Sequence, residues 1–362
     1  MQIGHLKLQL RKNQLNHKSS FIDRWKPYRK KTPSMLKENN TSFFCSNSID
    51  KSIEMDVLKS RLLNFYKNKS LTEVFNGNIV SNDEGSFFYI NNTEPISVPC
   101  NEVKLTKNRL LSNLQLINGL GQITENRLHH ENIFSLNQIP CSSRFYNEAQ
   151  KVVKQIENGP YEDLFWKCYT SLGKSHQDTL QLSRLINTEN LVFMDIETMG
   201  LGSQPISLIG MGRIQKGVLN IQQFFAQNIC EEAAMIEGFA CTIKSSDCFV
   251  TFNGEHFDIP FIKNRMRYLG LNDKLFHPNF DALFFSRKVW RGTLPNCKLQ
   301  TIEKEILNIE RTDDVPGAYC PSFYQSYCET GEIGTVVPII EHNRQDIISL
   351  ALIFFRLRNI WR

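Results

Sequence analysis

"LVFMDIETMG", residues 191–200, is the stretch whose reading decides the fold. An apolar run, Leu191 to Met194, leads into two carboxylates, Asp195 and Glu197. Alternate residues of a strand share a face, so both acids point one way while Ile196 points back into a core. Like charges on one face repel. A cation is therefore expected beside them, and a hard metal ion held by carboxylate oxygens is the economical choice.

The flanking sequence has the texture of a mixed sheet. "PISLIGMGRI" and "VLNIQQFFAQ" predict the second and third strands of a meander, joined by a Lys216-Gly217 turn. "CEEAAMIEGFACTI" reads as a helix, "CFVTFN" as a short strand, and "IPFIKNRMRYLG" as a helix closed by Gly270. The last helix runs from about Val336 to Trp361. Consecutive strands followed by strand and helix alternation imply a mixed α/β sheet flanked by helices.

Two further acids have reason to join the first pair. In "TFNGEHFDIPFI" a short strand ends at Asn253 and the next helix opens near Asp258, followed by Pro260. Taken alone, an aspartate there is an N-cap. In "EHNRQDIISLALIFF" His342 stands one turn before Asp346, and a spacing of four leaves helical side chains only about 40° apart. His342 can then take a proton from a water beside Asp346, its ordinary pKa of about 6.5 suiting that task. Taken alone, the pair is a surface hydrogen bond.

The order strand, loop-to-helix and C-terminal helix resembles the DEDD (DnaQ-like) exonucleases of the ribonuclease H-like superfamily. The matching motifs are "DIET", "FNGEHFDIPFI" and "HNRQD". "LQTIEKEILNIERTDDVPG", followed by "VVPIIEHNRQDIISLALI", is similar to the YprB-like branch of that superfamily. The resemblance covers about residues 190–362. It implies a ribonuclease H-like fold and 3′–5′ exonuclease action. It also implies that Asp195, Glu197, Asp258 and Asp346 hold two divalent ions, Mg²⁺ or Mn²⁺, for two-metal-ion phosphodiester hydrolysis. Oxygen-only ligands suit such ions and disfavour zinc. One departure stands out: the family carries Tyr four residues before the last Asp or His five before it, whereas here His342 holds the tyrosine spacing and Glu341 the other. A structure-dependent endonuclease on the same fold, or a non-catalytic nucleic-acid-binding protein, are the alternatives.

Substrate contacts are expected from three places. Asn253, five residues before Asp258, can touch the substrate or tie down its loop. Arg287, Lys288, Trp290 and Arg291 combine cations with a ring, the means by which single strands are held without sequence preference. Lys263, Arg265 and Arg267 read as a solvated helix face, and Asp281 as a helix start. Upstream, residues 109–140 predict two helices joined by Gly119-Leu120-Gly121, with Ile123 and Leu128 turned inward. This resembles a helix-hairpin-helix, whose bare amides accept a phosphate; an ordinary glycine-turned hairpin is the alternative.

The chain as a whole divides into a basic arm (1–50), a small α+β segment (51–107), the hairpin module (108–145), a helical connector (146–188) and the nuclease-like domain (189–362). The first fifty residues hold ten Lys or Arg against three acids, which suits a polyanion such as nucleic acid or a solvated tail. With 41% hydrophobic and 22% charged residues and no apolar run long enough for a bilayer, a soluble cytoplasmic protein is expected. The ten cysteines are scattered without C-x2-C spacing, which excludes a zinc ribbon and predicts free thiols.

Overall fold

The computed structural model describes residues 42–311 and 314–361. Of the arm expected over residues 1–50, only 42–50 fall among them, as the start of helix α1 (Ser42–Phe65). That helix runs on into the small α+β segment expected from residue 51.

Seven strands make up the sheet: β1 (Gly77–Asn82), β2 (Gly85–Pro95), β3 (Leu191–Thr198), β4 (Ile206–Gln215), β5 (Val218–Phe225), β6 (Cys248–Thr251) and β7 (Asn279–Asp281). Their spatial order is β1-β2-β5-β4-β3-β6-β7. Pairing is antiparallel except at β3-β6 and β6-β7, which are parallel. The meander β3-β4-β5 follows from its turn chemistry. Lys216 and Gly217 both take positive φ, 51° and 78°, the backbone of a two-residue hairpin turn matched to strand twist. The β1-β2 hairpin, which lies in the small α+β segment, extends this same sheet along β5.

Further helices are α2 (Val103–Leu111), α3 (Gln122–His130), α4 (Tyr146–Asn158), α5 (Tyr161–Ser171), α6 (Glu232–Ala240), α7 (Asp258–Leu269), α8 (Ala282–Trp290), α9 (Cys320–Thr330) and α10 (Val337–Ile360). Alternation along β3 assigns the two faces. Leu191 and Phe193 join a core with Ile347 and Phe354 of α10, while Val192, Met194 and Ile196 join one with Phe239 of α6 and Met266 of α7. The first core continues into the upstream helices through Leu110, Leu128, Val152 and Phe165. Residues 52–362 accordingly form one compact unit. A third cluster joins Phe88 and Ile90 of β2 to Tyr324 and Ile339.

No described helix is long and apolar enough to cross a membrane. The described cysteines from Cys100 onward are free thiols.

Candidate active site

Each acid reaches the site from an element whose local sequence explains its position. Asp195 and Glu197 end β3 on the face turned to α10. Opposite Asp195 on β4 lies Gly210, and opposite Gly210 on β5 lies Gln223. A Cβ at Gly210 would stand 2.0 Å from Asn343 Oδ1, so the missing side chain lets α10 press its amide onto the sheet. Asn343 Nδ2 donates to Asp195 Oδ2 at 2.9 Å and to the Asp195 carbonyl at 3.2 Å. Its Oδ1 accepts from Gln223 Nε2 at 2.9 Å. Asn343 and Gln223 are fully buried, and the amide line fixes one Asp195 rotamer.

Asp258 arrives through a constrained loop. Asn253 takes φ 69°, and a Cβ on Gly254 would meet Thr251 at 2.4 Å, so a left-handed turn and a bare glycine start the loop. Asp281 clamps it, accepting from the amides of Asn253 at 2.8 Å and Glu255 at 3.1 Å, and from Leu283 at the start of α8. Its role is structural. Asp258 makes no cap to α7; its Oδ1 instead accepts from the Ile196 amide at 3.2 Å, between the two β3 acids.

Asp346 and His342 share a face of α10, His342 Nε2 lying 3.6 Å from Asp346 Oδ2. A group not foreseen joins them. Arg311 binds Asp346 and also Glu303, with its Nε 2.8 Å from Glu303 Oε2 and its Nη1 3.2 Å from His342 Nδ1. Asp314 Oδ1 lies 2.6 Å from His342 Nδ1. Glu341, at the alternative spacing, pairs with Arg344 at 2.8 Å, and Arg344 also binds Glu94 of β2.

The electrostatics show how crowded the acids are. Burial pushes the Asp195 carboxyl well above the usual carboxylate range, and the charges of Asp346, Asp258 and Glu197 push it further. Burial raises Glu197 to about 7 despite the opposing charge of His342, and Asp258 to about 7 despite its backbone hydrogen bonds. Burial also raises Asp346, with His342 and Arg311 pulling it back. For His342, burial acts downward, but Asp314, Asp346 and Glu197 win and raise it to about 9. The acids around His342 thus favour its protonated form, which pairs with Asp314 and Asp346. Cys320, at the start of α9, is a further neighbour of Glu197, its thiol raised by burial and by that carboxylate.

Among the described residues no three His, Cys, Asp or Glu side chains are gathered closely enough to hold a metal ion as they stand. The donor set nonetheless fits a hard divalent ion: carboxylate oxygens, buried at Glu197 and Asp258 and half-buried at Asp195 and Asp346, mutually repelling, and partly neutralised by Arg311 and His342.

The other expected contacts separate. Arg287, Lys288 and Arg291 are exposed, but Trp290 is 7% exposed and packs into the first core, so no base can stack on it. Arg265 is neither solvated nor available, because it makes a two-pronged buried pair with Glu232 at 2.7 and 2.5 Å. Asn253 is half-buried at the loop start. Gly119 and Gly121 lie outside the acid cluster. α2 ends at Leu111, a short 3-10 turn covers Leu114–Leu116, and α3 starts after Gly121. Leu128 is buried as expected; Ile123 is 88% exposed, contrary to expectation. Ile123 lies in the first turn of α3, about 140° around the helix from Leu128, which turns it to solvent.

Arg311, Glu303, Asp314 and Cys320 were not signalled by spacing: Arg311 and Asp314 sit in irregular chain, and Glu303 and Cys320 only at the starts of a π turn and of α9. Asn343 had a weak signal, as a polar residue of "HNRQD" three positions before Asp346.

Comparison with known proteins gives the frame for this site. Residues 192–358 match the family model RNase_H_2, described as RNase_H superfamily. The chain is 30% identical over 178 residues to "Uncharacterized protein YprB" of Bacillus subtilis (strain 168), covering 47% of this chain and 42% of that protein. The family B DNA polymerase from the hyperthermophilic archaeon Pyrobaculum calidifontis is similar in part, with a TM-score of 0.36 and 18% identity, over 44% of this chain and 23% of that one. In each case the match spans less than half of the relative's length. Sheet order, flanking helices and the family match together give this chain a ribonuclease H-like α/β fold with its acids at the end of the opening strand.

Proposed function

We propose that the chain is a divalent-metal-dependent nuclease that removes nucleotides from a 3′ end of nucleic acid. The observation that carries this reading is the meeting of Asp195, Glu197, Asp258 and Asp346, from β3, α7 and α10, in one patch of mutually repelling carboxylates, Glu197 and Asp258 buried and the other two half-buried. Such a patch costs stability unless a cation sits in it. In this reading the four carboxylates hold Mg²⁺ or Mn²⁺, which when bound activate a water and stabilise the leaving oxygen. Asn343 keeps Asp195 aimed into the patch. Arg311 and His342 balance Asp346 and can donate hydrogen bonds to a phosphate oxygen. The glycine turn at Gly119 and Gly121 offers open backbone to a strand, since nothing stands within 4 Å of a Cβ at either position. Exonuclease polarity rests on the resemblance of the motifs.

An end-labelled single strand with Mg²⁺ tests this. Stepwise shortening from the 3′ end is expected, abolished in Asp195→Asn while strand binding persists. A few fixed internal cuts would replace exonuclease by endonuclease. Hydrolysis absent from the parent, or equal in parent and variant, would leave only a nucleic-acid-binding role.

A further inference from the structure

Beside the Asp258 loop lies an open cavity of about 560 Å³, lined by Lys174, Ser175, Phe284, Arg287, Lys288 and Arg291. No acid lines it. Among the described residues the side chains of Arg287, Lys288 and Arg291 make no hydrogen bond or salt bridge, and all three are exposed. Unpaired cations converging on one concavity repel each other, and an anion removes that cost. Lys174 is partly committed. It binds Glu255, which Tyr169 also holds, and it stands 5.4 Å from the centre of the Phe284 ring.

The cavity is tied to the acids by short covalent routes. Glu255 and His256 belong to the loop that delivers Asp258, and the His256 ring meets the Phe284 ring edge-on at 5.6 Å. Asp281 holds that loop and begins α8, the helix that carries Phe284, Arg287 and Lys288 and ends just before Arg291. Two residues separate Glu255 from Asp258, and three steps of extended chain span at most about 11 Å. Lys174 and Ser175 come from the connector after α5, so the cavity is completed only by the upstream helices.

We propose that this cavity is a phosphate subsite for the backbone of a nucleic-acid strand whose end lies at the acid cluster. It deepens the nuclease reading and rests on it. A site of this volume accommodates a nucleotide, within the range of about 300–1,000 Å³ usual for small-ligand sites. Arg287 of α8 and Arg291, just past its end, offer two guanidinium forks to successive phosphates, and the Phe284 ring lining the same cavity gives a base a surface beside them.

The test is fluorescence anisotropy of a labelled 12-nucleotide single strand with the full chain in EDTA, from 50 to 300 mM salt. Each phosphate contact contributes about 0.7 to the slope of log affinity against log salt on single strands. Arg287→Gln with Arg291→Gln is expected to weaken binding at least tenfold at 50 mM salt and to flatten the slope by about 1.4. The melting temperature should stay unchanged, because both side chains are exposed. Arg287→Lys with Arg291→Lys should restore the slope. An unchanged slope in the double Gln variant removes the subsite, whatever hydrolysis shows. A flattened slope in a chain that never hydrolyses a strand keeps the subsite and removes the nuclease reading.

Discussion

At the scale of single residues, the site depends on a side chain that carries no charge. Asn343 spans Asp195 and Gln223, and Gly210 leaves the gap through which it reaches them. Removing it orphans a buried carboxylate and a buried amide. Asn343→Ala should therefore cost about 1–3 kcal/mol of stability. If Asp195 holds the proposed ion, the same change should weaken Mn²⁺ affinity roughly 10–100-fold. Urea unfolding and a Mn²⁺ titration read the two effects; parental Mn²⁺ affinity in the variant would show that Asp195 needs no such support. Residues of this kind are poorly legible in sequence. The acids announce themselves by position on a strand or helix, whereas Asn343 gains its meaning from a glycine on another strand. Arg311 and Glu303 are harder still, since a π turn at Glu303–Leu307 intervenes and no regular period relates them to Asp346.

At the scale of elements, periodicity carried most of the reading. β3, β4, β5 and α10 stand where alternation or helical repeat places them, because each must bury one face or both. What local patterning does not carry is which face a polar helix shows, or which sheet edge a distant hairpin joins. Arg287 and Lys288 of α8 stand exposed, while Trp290 lies about 160° from Lys288 and so turns into the core. The β1-β2 hairpin is separated from β5 by more than a hundred residues, and only tertiary pairing reveals that it covers the β5 edge. Phe88 and Ile90 are buried there at 1% and 0% exposure. A shortened chain of residues 189–362 should therefore aggregate through its bared β5 edge, while residues 52–362 stay in solution. Size-exclusion chromatography distinguishes them; a folded, well-behaved 189–362 species would mean the hairpin is dispensable.

At the scale of the whole molecule, one compact unit brings acids from β3, α7 and α10 together, and supplies too little positive charge to neutralise them. Metal-free protein should record that imbalance as pH dependence. Glu197 and Asp258, ordinarily near 4, are raised to about 7, so folding favours their protonated forms and loses that stability as pH climbs from about 4 to 7. His342, raised to about 9, contributes stability that is full below about 6.5 and is lost as pH passes 9. Both act in one direction, and a bound divalent ion opposes them by favouring the ionised carboxylates. Thermal unfolding from pH 5 to 9, in EDTA and in Mn²⁺, for the parent and for Asp195→Asn with Asp346→Asn, reads whether these acids hold the ion. The parent in EDTA should melt at steadily lower temperature as pH rises, with Mn²⁺ restoring more stability at pH 8 than at pH 6, and the double variant should gain almost nothing from the ion. An equal Mn²⁺ effect on parent and double variant at every pH would contradict a metal site built from these acids.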